Sequence, residues 1–172
     1  MKRDKSDKLS HVDAAGRARM VDVGDKQPTT RRAVAEGRVR ISAKLAAAVA
    51  ANQLAKGNLL EVARLAGIQA AKRTDELIPL CHSLPLEHVQ VEAALEGDSI
   101  RLRAEVRTFA KTGVEMEALT AVAVAALTVV DMGKAIDRAM VIEGIRVLEK
   151  TGGRSGDWHA DSSGASVLAG PE

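Results

Sequence analysis

Thirteen consecutive residues without a charge, Ala118 to Val130, stand in a chain whose residues are 28% charged overall. A run this apolar has to leave water. It is too short to cross a bilayer, so it is predicted to be a helix buried in a soluble core. The 172 residues of the chain are enough for one domain that encloses such a helix.

The elements that could cover it are readable on both sides. Val89, Val91, Ala93 and Leu95 alternate with polar partners, Gly97-Asp98 supplies a two-residue turn, and Ile100, Leu102, Ala104 and Val106 alternate back, which is a hairpin. Val39 and Ile41 alternate with Arg38 and Arg40 in a half-buried strand. Ser42 then caps a helix running to about Lys56, with Leu45, Ala48 and Val49 on one face and Gly57 as its stop. Asn58 and Glu61 form a capping box for a second helix facing inward through Val62, Leu65, Ala66 and Ile68. Pro79 ends that stretch and leaves Leu80, Cys81 and His82 on a loop.

A Thr112-x-x-Glu115 box opens the apolar helix, which runs to about Asp131 and continues or breaks near Gly133; Met140 to Glu149 returns as a strand. Hairpins mixed with helices that do not strictly alternate predict an α+β fold. The simplest is a ferredoxin-like two-layer sandwich, an antiparallel sheet with helices packed on one face. Residues 1–10 are charged and aperiodic, and residues 152–172 are rich in Gly, Ser and Asp. Both ends are expected to be mobile around a single folded unit of residues 11–151.

Composition narrows the function. Twenty-five Lys and Arg against 23 Asp and Glu give a net charge of +2, with no global pull toward nucleic acid or membrane. Phe109 and Trp158 are the only aromatics, which excludes a base-stacking platform. The single cysteine, Cys81, has no internal disulfide partner, and the charged first ten residues do not form a secretory leader; both fit a soluble cytoplasmic protein. The phosphate loop, dinucleotide fingerprint, nucleophile elbow and His-Glu-x-x-His motifs are missing.

Four groups of polar residues have two readings each. Lys56 either complements a helix C-terminus or binds a phosphate. Cys81 and His82 are either small structural groups or site residues, and side by side they cannot complete a tetrahedral metal site. Glu115 and Glu117 point about 200° apart on a helix; Glu115 can serve the capping box, while Glu117 just before the apolar run faces a rim or cleft. Asp131 and Lys134 are either a surface pair of small value or, beside a cleft, an acid/base pair. Arg31-Arg32 and Lys72-Arg73 could meet phosphates or simply be solvated.

Several runs together resemble one family. They are Met20-Val-Asp-Val23, Ala66-Gly-Ile-Gln-Ala-Ala-Lys-Arg-Thr74, Leu77-Ile-Pro-Leu-Cys-His82, Lys111-Thr-Gly-Val-Glu-Met-Glu-Ala-Leu-Thr120, Asp131-Met-x-Lys134, Met140-Val-Ile142 and Gly152-Gly-x-Ser-Gly156. In this order, over roughly residues 9–158, they are similar to the cyclic pyranopterin monophosphate synthases (molybdenum cofactor biosynthesis protein C family). The resemblance implies a ferredoxin-like homohexamer, a trimer of dimers with active sites at subunit interfaces. The implied substrate is 3′,8-cyclo-7,8-dihydro-GTP, and the products are cyclic pyranopterin monophosphate and pyrophosphate. It implies no redox cofactor and no protein-bound metal; a divalent ion such as Mg²⁺ would accompany the triphosphate.

By the same resemblance Lys56, Lys134 and Asp131 match catalytic positions. Leu80, Cys81, His82, Met116 and Glu117 match substrate contacts, and Arg31, Glu115 and Lys150 match the lining of the same pocket, with Cys81 serving by position rather than as a nucleophile. Three positions depart from the family pattern: Asn58 for a common Asp, Ser83 for a Pro, and Gly133 for a Cys. Asn58 should cap equally well, Ser83 should loosen the His82 loop slightly, and Gly133 is a poorer helix former. Two other classes compete with an enzyme: a nucleotide-binding regulatory module and a purely structural oligomer.

Overall fold

In the computed structural model, which describes residues 16–153 and 156–160, the alternating stretches pair into one antiparallel sheet. Its strands are β1 (Thr29–Arg40), β2 (His88–Glu96), β3 (Ser99–Ala110), β4 (Val141–Thr151) and β5 (Trp158–His159), in the order β2-β3-β1-β4-β5. The helices α1 (Ala43–Ala50), α2 (Leu59–Ala71) and the single turn α3 (Thr74–Leu77) connect β1 to β2, and α4 (Glu115–Gly133) connects β3 to β4. This is the βαββαβ order of the ferredoxin-like sandwich.

The hairpin forms where alternation placed it, with Val106 opposite Val89 and Ile100 opposite Leu95 around the Gly97-Asp98 turn. Its inward residues Ile100, Leu102, Ala104 and Val106 are fully buried, as are Ala33, Ala35 and Val39 of β1. On them lies α4, with Ala118, Ala121, Val122, Ala125, Ala126 and Val129 also fully buried. At 19 residues α4 is long and apolar enough, by length and composition alone, to cross a membrane, but here it is the core helix between the sheet and α2. The opposite sheet face is charged and carries ion pairs such as Arg32–Glu105 (2.8 Å), Arg38–Glu143 (3.0 Å) and Arg146–Glu36 (2.9 Å).

Several local expectations need correction. Helix α1 stops at Ala50, not near Lys56, because Asn52 takes a left-handed φ of 52° and turns the chain. Asn58 does cap α2, accepting from the Glu61 N–H at 3.1 Å, but the buried face is Leu59, Ala63, Gly67, Ala70 and Ala71. Val62 and Leu65, expected inside, are 39% and 56% exposed. Small residues win because α2 lies directly on α4: a Cβ at Gly67 would come within 2.9 Å of the Ala121 carbonyl oxygen. The Thr112 box does not form either; Val114 occupies the N-cap position without a side-chain cap, and its burial in the core starts α4 beyond it.

The departures from the family pattern are locally accommodated. Ser83 donates a hydrogen bond to Asp75 of α3, a contact that a Pro side chain could not make. Gly133 lets Leu45 and Met140 close over the end of α4, where a Cβ would lie 2.7 Å and 3.1 Å from their Cδ2 and Sδ atoms. Past residue 151 the sheet continues, since Trp158 pairs with Lys150 and His159 with Glu149. The mobility expected of residues 1–10 and 161–172 lies outside the described residues.

Candidate active site

The start of β1, the ends of β3 and β4 and the first turn of α4 meet at one edge of the molecule. Arg31 shares the side of β1 that carries Ala33 toward the helices, and Lys150 pairs directly with Ala33 in the sheet. Lys150 Nζ lies 3.3 Å from Glu115 Oε1 in the first turn of α4, and Arg31 Nε donates to the Ala110 carbonyl at 3.3 Å. Around them opens a cavity of about 660 Å³, lined among others by Lys26, Arg31, Arg32, Lys111, Lys150, Asp25 and Glu115. Cations outnumber carboxylates in this lining. Arg32 is committed elsewhere, held between Glu105 and Glu149, whose hydrogen bonds raise its proton affinity further.

A second cavity of about 440 Å³ adjoins it and shares Lys26, Thr112, Gly113 and Glu115. It is lined by Leu80, Cys81, His82, Met116 and Glu117, with Val21 and Val23 from the segment before β1. That segment is clasped from two sides. His82 Nε2 donates to the Val21 carbonyl at 2.8 Å, and since a carbonyl only accepts, this nitrogen carries the proton; Lys111 Nζ donates to the Gly24 carbonyl at 2.7 Å. The clasp holds Lys26 where the two cavities meet.

Glu117 is 4% exposed, and burial pushes its carboxyl up to about 7, its own backbone N–H opposing and the charges of Glu115 and Asp75 adding to the rise. It can therefore give or accept a proton near neutral pH. Burial also raises the Cys81 thiol, helped by Glu117 and Asp75, so the thiol stays protonated and is a poor nucleophile. Among the described residues no three His, Cys, Asp or Glu side chains gather as a metal site.

Lys56, Asp131 and Lys134 also meet, but elsewhere. Asp131 receives Lys56 Nζ on Oδ2 and Lys134 Nζ on Oδ1, both at 2.7 Å, and the two lysines hold its carboxyl down at about 2, Lys134 contributing most. Lys56 also donates to the Asp131 carbonyl at 3.1 Å. It thus complements a helix C-terminus, but that of α4 rather than of its own helix. All three side chains are about half exposed or more. From Glu115 to Asp131 the axis of α4 runs about 24 Å at 1.5 Å per residue, so in one chain this cluster does not reach the cavities.

The eleven candidates therefore fall into two groups: Arg31, Leu80, Cys81, His82, Glu115, Met116, Glu117 and Lys150 at the start of α4, and Lys56, Asp131 and Lys134 at its end. Sequence reasoning missed Lys26 and Lys111. Lys26 follows the Met20–Val23 run closely, and Lys111 precedes Thr112, whose capping signal masks it.

The pattern of the MoaC family matches residues 20–153, which include both groups. The chain belongs to the MoaC family. Its relatives in this family include proteins named cyclic pyranopterin monophosphate synthase from Chloroflexus aggregans, 55% identical over 159 residues, and from Roseiflexus sp., 57% identical over 155. These alignments cover 91% and 89% of this chain and 96% and 98% of the relatives. The namesake from Streptomyces coelicolor is 52% identical over 90% of this chain and 91% of its own length.

Proposed function

We propose that this chain converts 3′,8-cyclo-7,8-dihydro-GTP to cyclic pyranopterin monophosphate with release of pyrophosphate, as a step of molybdenum-cofactor biosynthesis. The chain is an enzyme, a lyase with the activity for which its relatives of more than 50% identity are named. The single observation that carries the substrate reading is the division of labour between the adjoining cavities. One is lined by lysines and Arg31, suited to a triphosphate; the other is closed by Leu80–His82, Met116 and a neutral-range Glu117, suited to the amide and amino edge of a pterin. The N-terminus of α4 points at both and favours an anion there.

The reaction opens an aminal ring, closes a pyran ring and lets a hydroxyl displace pyrophosphate. Each step moves a proton. Lys56 and Lys134 supply ammonium groups that can protonate the departing ring nitrogen and neutralise the leaving pyrophosphate. Asp131, ionised throughout the working pH range, fixes both lysines in place. The conversion involves no net oxidation, so no redox cofactor is required. A divalent ion such as Mg²⁺ arrives with the triphosphate as part of the substrate, and the setting we infer is cytoplasmic.

About 24 Å of helix separates the lysine cluster from the cavities, so we infer that the complete site forms between copies of the chain, one supplying the cavities and its neighbour supplying Lys56, Asp131 and Lys134. A homohexamer built as a trimer of dimers meets this requirement. Leu127, 59% exposed one turn before Asp131, with Leu65 and Val62 exposed on α2, gives the helix layer the apolar surface such a contact needs.

Incubation with the cyclised nucleotide tests the reading. Pyranopterin and pyrophosphate should appear together in equal amounts. A chain that is stabilised against heat by a GTP analogue yet forms neither product is a binding module, and one that shows no stabilisation is a structural oligomer.

A further inference from the structure

Arg31 extends across the cation-lined cavity over a stretch of main chain that has no side chains. Its Nε is fixed on the Ala110 carbonyl, and its guanidinium lies against Gly153. A Cβ at Gly153 would collide with Nη1 and lie 2.7 Å from Cζ and 3.2 Å from Nη2. Gly152 excludes a Cβ for another reason: the atom it would strike is the Thr30 carbonyl oxygen, part of the sheet backbone. The two glycines hold φ at +90° and +87°, a region that side chains with a Cβ rarely adopt.

The main chain at Gly153 is held from both directions. The Gly153 carbonyl accepts from the Gly156 N–H at 3.2 Å, the Gly152 N–H donates to Asp157 Oδ1 at 3.0 Å, and β5 pairs with Glu149 and Lys150 just upstream. A side chain added at Gly153 would therefore displace the guanidinium, the far end of a flexible side chain, and leave the sheet in place. At Gly152 the same addition would displace the sheet.

We propose that Gly153 is a positioning residue for Arg31: by lacking a Cβ it leaves room for the guanidinium beside the end of β4, from where it faces the polyphosphate of the substrate. The proposal rests on the reading of this cavity as a polyphosphate site. A planar guanidinium binds phosphate through paired N–H groups and loses that geometry when it is tilted.

The test is calorimetric binding of inorganic tripolyphosphate to the full chain and to Gly153→Ala, Arg31→Ala and the double variant. Gly156→Ala is the backbone control, because Gly156 has φ +69° with open space around it. Gly153→Ala should weaken binding about tenfold, close to the effect of Arg31→Ala, and the double variant should bind no worse than Arg31→Ala alone. Gly156→Ala should bind like the wild type. Wild-type affinity in Gly153→Ala, or losses that simply add in the double variant, would overturn the assignment, as would a wild-type chain that does not bind tripolyphosphate. Should Gly153→Ala melt early, the double variant should melt higher than Gly153→Ala, because the collision is gone while the strain of a Cβ at φ +87° stays; a double variant that melts no higher also overturns it. A chain that shows the expected binding pattern but does not convert the cyclised nucleotide loses the catalytic reading and keeps this one.

Discussion

Lys56 and Asp131 stand 75 positions apart in the sequence, yet Lys56 Nζ lies 2.7 Å from Asp131 Oδ2, and Lys134 occupies the other carboxylate oxygen at the same distance. One acid thus holds two ammonium groups on the exposed end of the core helix. Replacing Asp131 by Asn removes the charge that gathers them. Turnover should fall about a hundredfold or more, the range of general acid–base catalysis, while KM changes little because Asp131 holds the two lysines and is not part of the cavity lining. The melting temperature should stay at the wild-type value, since exposed ion pairs contribute little to stability. A variant with normal kcat would remove Asp131 from the chemistry.

Glu117 sets a pH dependence whose sign follows from burial. Its carboxyl is raised in the folded chain to about 7 from an ordinary 4.5, so folding favours the protonated form. The stabilisation is full below about pH 4.5 and is lost as the pH rises through about 7, amounting to on the order of 3 kcal/mol. Denaturant titrations from pH 5 to pH 9 should show this loss, and Glu117→Gln should flatten it while abolishing efficient turnover. A wild-type stability that does not fall over that window would contradict the buried, protonated carboxyl.

Cys81 should be dispensable as a thiol. Burial and the neighbouring Glu117 and Asp75 keep it protonated, so Cys81→Ala should retain most of the turnover. Alkylation of the wild type at neutral pH should be slower than that of an exposed peptide cysteine. Loss of all activity in Cys81→Ala would assign the sulfur a chemical role.

Lys111 holds the segment that carries Lys26. Lys111→Met keeps a long side chain but deletes the hydrogen bond to the Gly24 carbonyl. Losing a hydrogen bond from a charged donor costs about 1.5–3 kcal/mol, so KM should rise about tenfold or more with kcat largely retained. An unchanged KM would show that the clasp does not serve binding.

Much of the fold was legible because its signals are local. Alternation and a Gly-Asp turn made the hairpin plain, and the uncharged run identified the core helix. The early end of α1 also had a local signal, Asn52, since Asn accepts the left-handed conformation that ends helices; the later Gly57 overshadowed it. The inner face of α2 departs from the hydrophobic pattern because hydrophobicity favours Val62 and Leu65, whereas close packing on α4 selects Ala63, Gly67 and Ala70. The Thr112 box was overruled by the burial of Val114. As for the site, motifs resembling a known family marked eleven residues, but not that they separate to opposite ends of α4, nor that Lys26 and Lys111 join one group. Those relations depend on register and on long-range contacts such as Lys111 with Gly24, 87 positions away.

The central claim is that one copy brings Arg31 and the cavities while its neighbour brings Lys134, and subunit mixing measures this directly. Glu117→Gln and Lys134→Ala chains, each inactive alone, should be unfolded together in equal amounts, refolded and assayed on the cyclised nucleotide. Random assortment then gives about a quarter of the shared sites both intact halves, and activity should return to about that fraction of wild type. A mixed assembly as inactive as its two components would place both halves within a single chain and contradict the account.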